Sequence, residues 1–492
     1  MKLVRSFLIC VVIMGWAVGG PSSAVDAADQ PLNVLFIAID DLRPELGCYG
    51  ITEAQSPSLD AFAETAVRFN NHFVQVPTCG ASRYSLLTGR SPLRSGVTSS
   101  NSALYQGEAK LSDVSQPGAQ SMPELFRRSG YQTVCIGKIS HTADGRVYEY
   151  NGKGDGRDEV PMAWDKLATP LGAWKRGWGV FFAYPNGVHR EDGQGHQDLM
   201  DFTATQDTDL PDGLMAQSAI EFLQKQRDAD APFFLGLGFF KPHLPLVAPK
   251  QDWDAFENSE IEIAKDQRKP ETAYWHRSGE FYRYDAPFGK QHPLSKAAQR
   301  DARRGYLACV RYVDRQVGKV LDALQQNGLA DNTVVVVWGD HGWHLGDQQI
   351  WGKHSPLERA LRSVLMIRVP AVSKPGLVSD ALVETLDVYP TLIDVCNPSF
   401  QQTHQPLDGK SLTSVIRGDT DSVREASLSY WKNAVSVRTL EHRLIAKQVG
   451  GEFRSIELYP TDRDVLGPNL ADDQPAKVKE MLKLFEHSSK KM

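Results

Sequence analysis

A chain of 492 residues, 41% hydrophobic and 23% charged, has an ordinary globular balance and the length for one large α/β enzyme or two unequal domains. At a net charge of -6 no basic footprint argues for nucleic acid, and an anionic ligand would need a local cationic site. Six cysteines are too few for a disulfide scaffold.

At the N-terminus, Lys2 and Arg5 precede an apolar run over 7–18, and small residues follow, with candidate cleavage points after Ala24 and Ala27. This is the pattern of a secretory signal peptide. The competing reading is a membrane anchor, but the run is short for a stable span, and no later stretch is long and apolar enough to be one. Residues 1–27 are therefore expected to leave on export to a periplasmic, secreted or lysosome-like compartment. Cys10 would leave with them, and the odd number of cysteines that remains asks for an explanation.

The continuous apolar run 33–39 predicts a buried central strand ending at Asp40-Asp41. A helix is predicted over 56–67, with Pro57 near its first turn. Cys79-Gly80-Ala81-Ser82-Arg83 stands where loop turns into helix. A helix over 122–129 closes at Gly130, and 131–136 follows as a strand. Residues 142–210 are rich in Gly, Asp and Pro and weakly periodic, which predicts loops and short elements. A helix at 214–226, a buried strand at 232–239 and a polar, loop-rich stretch at 250–295 come next. Helical periodicity over 306–324 stops at Asn327-Gly328. The run 333–338 is the clearest core strand and ends at Gly339-Asp340-His341; 363–369 is another strand. Strands alternating with helices predict a large, mostly parallel or mixed central sheet covered on both faces. The segments 427–431, 434–438 and 442–449 read as short antiparallel strands, and 477–485 as a closing helix. The expected organisation is a signal segment at 1–27, a catalytic domain at 28–400 and a smaller C-terminal α+β subdomain at 401–492.

Two core strands therefore end in acids, at Asp40-Asp41 and at Asp340-His341. Sites in open α/β sheets collect beyond the carboxyl ends of strands. Capping of the next loop is the simpler account of one such end; two together favour a hard divalent cation, calcium or magnesium. Lys138 with His141, Lys241 with His243 and Lys353 with His354 stand just past core strands or in a nearby loop. With Arg83 they would make a pocket for a tetrahedral anion.

The stretches 33–50, 79–90, 130–141, 232–245, 337–354 and 457–470 resemble, in order, the sulfatase branch of the alkaline-phosphatase-like superfamily, most nearly the iduronate-2-sulfatase group. Asp40-Asp41-Leu42-Arg43-Pro44 and Lys241-Pro242-His243 carry the narrower likeness. The resemblance implies that Cys79 is oxidised by a formylglycine-generating enzyme to an aldehyde, whose gem-diol attacks sulfur and later expels sulfate. It implies Asp40, Asp41, Asp340 and His341 as metal ligands, completed by residue 79. Arg83, Lys138, His141, His243 and Lys353 match the anion-binding and proton-transfer residues. Arg83 would hold the diol, His141 would take a proton, and either His243 or Lys353 would protonate the leaving oxygen. Trp343 and His344 would lie near the pocket mouth. The implied substrate is a sulfated glycan, most nearly a uronic acid 2-O-sulfate. The alternatives are a phosphonate or phosphodiester hydrolase of the same architecture and a secreted glycan-binding protein with a dead site. Two departures stand out: Ala81 replaces a common Pro, and Phe240 replaces a His common in iduronate-type enzymes. The middle loops do not align.

Overall fold

The computed structural model describes residues 31–461 and 465–491; the expected signal peptide lies outside the described residues. The main sheet has eight strands: β1 (Asn33–Ile39), β2 (Val67–Phe73), β3 (Gln132–Gly137), β4 (Lys166–Leu167), β5 (Phe233–Phe239), β6 (Thr333–Gly339), β7 (Leu365–Arg368) and β8 (Val378–Glu384). Their order is β8-β2-β7-β6-β1-β5-β3-β4. Only β7 runs antiparallel to its neighbours.

Strands apolar on both faces belong in the middle of such a sheet. Every residue of β1, β5 and β6 is buried, and these three lie side by side. Alternation then divides β1 between two apolar layers. Leu35, Ile37 and Ile39 pack with α1 (Pro57–Ala63), α4 (Pro211–Gln226) and α5 (Lys296–Gln326). Val34, Phe36 and Ala38 pack on the other face with α2 (Cys79–Thr88) and α3 (Met122–Arg128).

A second, antiparallel sheet follows in hairpin order: β9 (Ser427–Trp431), β10 (Ala434–Arg438), β11 (His442–Val449) and β12 (Glu452–Pro460). Leu428, Val437, Leu444 and Leu458 cluster with Met481 and Phe485 of α6 (Pro475–Lys491). Glu358 ties this sheet to the rest, facing Arg438 Nε at 3.1 Å and Arg443 Nη2 at 2.6 Å.

The structure departs from the sequence reading at several elements. The helix expected over 56–67 ends at Ala63, because Val67 and Phe69 follow a two-residue alternation and enter β2. α5 begins ten residues before the expected 306, at Lys296. Ser295 caps it by accepting from Ala298 N–H at 3.2 Å. Its early buried stripe, Ala298, Ala302 and Gly305, is too small to register as apolar periodicity. Strands β2, β8 and β12 were not anticipated; each mixes polar residues into its run. Among the described residues Cys48, Cys79, Cys135, Cys309 and Cys396 are all free. No helix among them is long and apolar enough to cross a membrane.

Candidate active site

Topology alone brings the motifs together. The neighbours β6, β1, β5 and β3 are parallel, and their register sets Ile39 beside Gly339 and Phe239, and Gly137 beside Gly238. Asp340-His341, Asp40-Asp41, Lys241-Pro242-His243 and Lys138 therefore leave one edge of the sheet side by side. This is where open α/β sheets place their ligands. At Gly137 the backbone has a φ of 77°, and a Cβ would strike the Gly238 carbonyl, so glycine permits this close approach.

The loop after β1 is held rigidly. Asp41 has a φ of 61°, a left-handed turn that Asp tolerates better than most residues. Tyr306 on α5 donates its O–H to Asp41 O at 2.8 Å and accepts from Arg43 N–H at 3.1 Å. Arg43 reaches Asp347 at 2.7 Å and Glu45 at 2.6 Å, and Glu45 also meets Arg303 at 3.0 Å. All of these side chains are buried.

The remaining groups come from α2 and the loop after β6. Cys79 is the first residue of α2, and Arg83, four residues on, shares its face. Gly80 sits between them because a Cβ there would collide with the Asn101 backbone. Cys79 Sγ lies 3.3 Å from His341 Nε2 and 3.2 Å from Lys353 Nζ. Lys353 Nζ meets Asp41 Oδ1 at 2.8 Å, and Lys138 Nζ meets Asp40 Oδ2 at 2.7 Å. Arg83 donates from Nε to Asp340 Oδ2 at 3.1 Å and from Nη2 to Asp40 Oδ1 at 3.2 Å. Its Nη1 donates to the carbonyls of Lys138 and Ile139. Ligand atoms of Asp40, Cys79, Asp340 and His341 lie within 4.8 Å of one another, and Asp41, Cys79 and His243 form a second such group.

The electrostatics follow from burial and pairing. Burial raises the Asp40 carboxyl, but Lys138, His243 and Arg83 outweigh it and hold the group well below its usual range. Burial raises Asp41, with Lys353 and His341 pulling the other way. Burial and the Asp40 charge push the Cys79 thiol well above its ordinary value. Burial and Lys138 hold His141 well below the usual histidine range, so its ring is neutral. His341 Nδ1 is 2.9 Å from Gly342 O; donating there leaves the Nε2 lone pair facing Cys79.

A cavity of about 300 Å³ opens onto this cluster, lined by Cys79, Lys138, His141, His243 and Lys353; Asp40, Asp41, Asp340 and His341 are buried behind that lining. Arg83 does not line the cavity, and among the described residues no hydrogen bond joins Arg83 to Cys79; its donors clamp the two acids and the loop after β3. Lys241 also turns away, spending its ammonium on the carbonyls of His243 at 3.0 Å and Pro245 at 2.6 Å. Trp343 and His344 are buried rather than at a mouth: His344 Nε2 bonds Ser355 Oγ at 3.0 Å, and Trp343 backs the Lys353 ammonium.

Sequence reasoning missed two features. Glu280 enters the cavity from the loop-rich 250–295 stretch, 3.1 Å from His243 Nε2 and 3.5 Å from Lys353 Nζ. An aromatic wall of Tyr150, Trp178, Phe181 and Phe182 comes from the 142–210 stretch, with the Lys138 ammonium 4.2 Å from the Phe181 ring centre. No periodicity marks either; the aromatic density of 178–184 is the one usable signal.

The sulfatase family model matches residues 32–397, and the chain belongs to the sulfatase family. It is 32% identical to the iduronate 2-sulfatase of Mus musculus over 380 residues, which cover 74% of this chain and 63% of the mouse protein. The match thus spans less than two thirds of that relative. Identity to the Homo sapiens iduronate 2-sulfatase is 29% over 422 residues, covering 78% of this chain and 71% of the human one. The solved phosphonate monoester hydrolase of Silicibacter pomeroyi superposes with a TM-score of 0.72 at 22% identity, covering 93% of this chain and 94% of that one. At that identity the likeness speaks for the fold alone.

Proposed function

We propose that the protein hydrolyses sulfate esters of a sulfated glycan, with uronic acid 2-O-sulfates as the substrate class. The observation that carries this is the position of Cys79. Its Sγ stands among Lys353, His341 and the Asp40-Asp41 acids, on the floor of a cavity lined by cations and histidines. An unmodified thiol pushed well above its ordinary value is a poor nucleophile there. Formylglycine at position 79 would supply a hydrated aldehyde whose hydroxyl attacks the sulfur. All ten residues of α2 are buried, so a formylglycine-generating enzyme would have to act before the chain closes over them.

Asp40, Asp41, Asp340 and His341 would hold one divalent ion beside residue 79. The donor set fits: the Asp40 and Asp340 carboxylates gather with Cys79 and His341, Asp41 gathers with Cys79 and His243, and such oxygen ligands suit a hard cation, calcium before magnesium. Asp41 Oδ2 is buried without a hydrogen-bond partner among the described residues. The ion would supply charge neutralisation at the sulfuryl oxygens. Arg83 would keep Asp40 and Asp340 aimed at it.

Lys138 and Lys353, fixed by their pairs with Asp40 and Asp41, would grip the sulfate oxygens as preorganised cations. Neutral His141, with a buried and unpartnered Nδ1, would accept a proton. His243 or Lys353, both touching Glu280, would protonate the departing sugar oxygen. The protein would work after export, in a periplasmic, secreted or lysosome-like compartment. The test is a parallel assay of a uronic acid 2-O-sulfate, a hexosamine sulfate, an aryl sulfate and a phosphonate monoester. The uronate sulfate should have the highest kcat/KM; a phosphonate preferred over every sulfate would overturn the reading.

A further inference from the structure

Residues 146–158 form a finger beside the cavity. Arg146 bridges Asp158 across its base, Val147 N–H donates to Arg157 O at 2.9 Å, and Glu149 N–H donates to Lys153 O at 2.7 Å. Trp178 pins it to the cavity wall, its indole N–H donating to Tyr148 O at 2.8 Å. Tyr150 sits near the tip, its ring centre 4.6 Å from Trp178 and 5.9 Å from Phe182. Yet Tyr150 is 47% exposed, and the other exposed large apolar side chains among the described residues are aliphatic. An aromatic ring held by its neighbours and left open to solvent is a stacking platform that has paid its ordering cost beforehand.

Tyr150 stands between two spaces. One is the catalytic cavity; the other is a groove of about 750 Å³ lined by Tyr105, Tyr148, Lys153 and Arg157. The two share Asn101, His141, Tyr150 and Trp178 as walls, so a sugar bonded to one in the cavity has a path past the Tyr150 ring. The groove is not a second anion site. Glu149, Asp155 and Glu191 balance Lys153 and Arg157, and Arg157 is paired with Asp155 at 2.7 Å. Aromatic faces with mixed hydrogen-bonding groups match the polar rim and apolar faces of a sugar ring.

We infer that this groove binds the next sugar of the substrate, with Tyr150 as its platform, so that the protein acts on sulfated chains of two or more sugars in preference to monosaccharide sulfates. The inference rests on the sulfate-ester reading above. Because stacking and not charge carries it, the preference for chains should depend only weakly on salt.

The test uses the full chain matured in a host that converts Cys79, as wild type, Tyr150→Ala and Tyr150→Phe. Substrates are a uronate 2-O-sulfated tetrasaccharide and the matching monosaccharide sulfate; the desulfated tetrasaccharide is titrated by calorimetry. The wild type should favour the tetrasaccharide in kcat/KM. Tyr150→Ala should narrow that preference roughly five- to tenfold, mainly through KM, and weaken the desulfated chain by a similar factor. Tyr150→Phe should retain both. Tyr105→Ala, on the groove side, repeats the test if Tyr150→Ala fails to fold. Equal kcat/KM for the two substrates, with binding indifferent to both alanine variants, would overturn the groove and leave the sulfatase reading intact. Tyr150-dependent binding without release of any sulfate would sink the sulfatase reading and leave the groove as a glycan site.

Discussion

The floor and the wall of the site are built by different means. On the floor, Asp40, Asp41, Asp340 and His341 stand at the ends of neighbouring parallel strands, and sheet register sets their spacing. A salt-bridge network and Tyr306 lock the loop beneath them. The wall is carried by residues from 142–210 and 250–295, where regular elements are few and short. Tyr150 and Phe181 are held there by ring contacts, and Glu280 by ion pairs to His243 and Lys353. A floor set by register tolerates little change and suits the chemistry. A wall on loops can vary without unfolding the sheet, and suits the choice of substrate.

The sharpest way to break this division is Cys79→Ala. Removing the source of the nucleophile should lower kcat by at least about ten-thousandfold, while the folded protein persists in thermal melts. Near-normal turnover would refute the floor as the reacting centre. His243→Ala should cost about a hundred- to ten-thousandfold, with the larger loss on sugar sulfates than on aryl sulfates, whose leaving group needs no proton. An equal loss on both would remove His243 from leaving-group protonation.

Glu358 lies outside both regions and should move stability instead of rate. Glu358→Ala leaves Arg438 and Arg443 buried without their shared carboxylate, which should cost about 3 to 5 kcal/mol in denaturant unfolding. Burial opposes the charge on Glu358, but the two arginines hold its carboxyl far below the ordinary value of 4.5. A folded-state value below the unfolded one means the stabilisation is present above pH 4.5 and is lost as pH falls below it. The wild-type advantage over Glu358→Ala should therefore be full at neutral pH and shrink toward about pH 3. The smallest effect is expected where floor meets wall. Glu280→Gln removes the charge that faces both His243 and Lys353 and should lower kcat on sugar sulfates by roughly tenfold.

The floor was legible in the sequence because each of its parts ends a strand that can be read. Continuous apolar runs such as 33–39 and 333–338 declare buried parallel strands, and the acids that follow them declare a strand-end site. Lys138 and His243 were found the same way. Arg83 was found, but its partners were not: helical spacing shows that it faces Cys79's side, not that every donor is taken by Asp40, Asp340 and two carbonyls. Lys241 shows the same limit, since a lysine beside a strand end can point at its own loop. β2 and β8 escaped because polar residues interrupt their apolar alternation. Glu280 and Tyr150 left no trace, because loops that fold across a cavity carry no period to read.

The central claim is that residue 79 works as an aldehyde on this floor. Mass spectrometry of the peptide containing position 79, from protein made in its own host, tests it most directly. The account predicts the mass of formylglycine there, and trapping by a hydrazine reagent. An intact cysteine in fully active protein would contradict it.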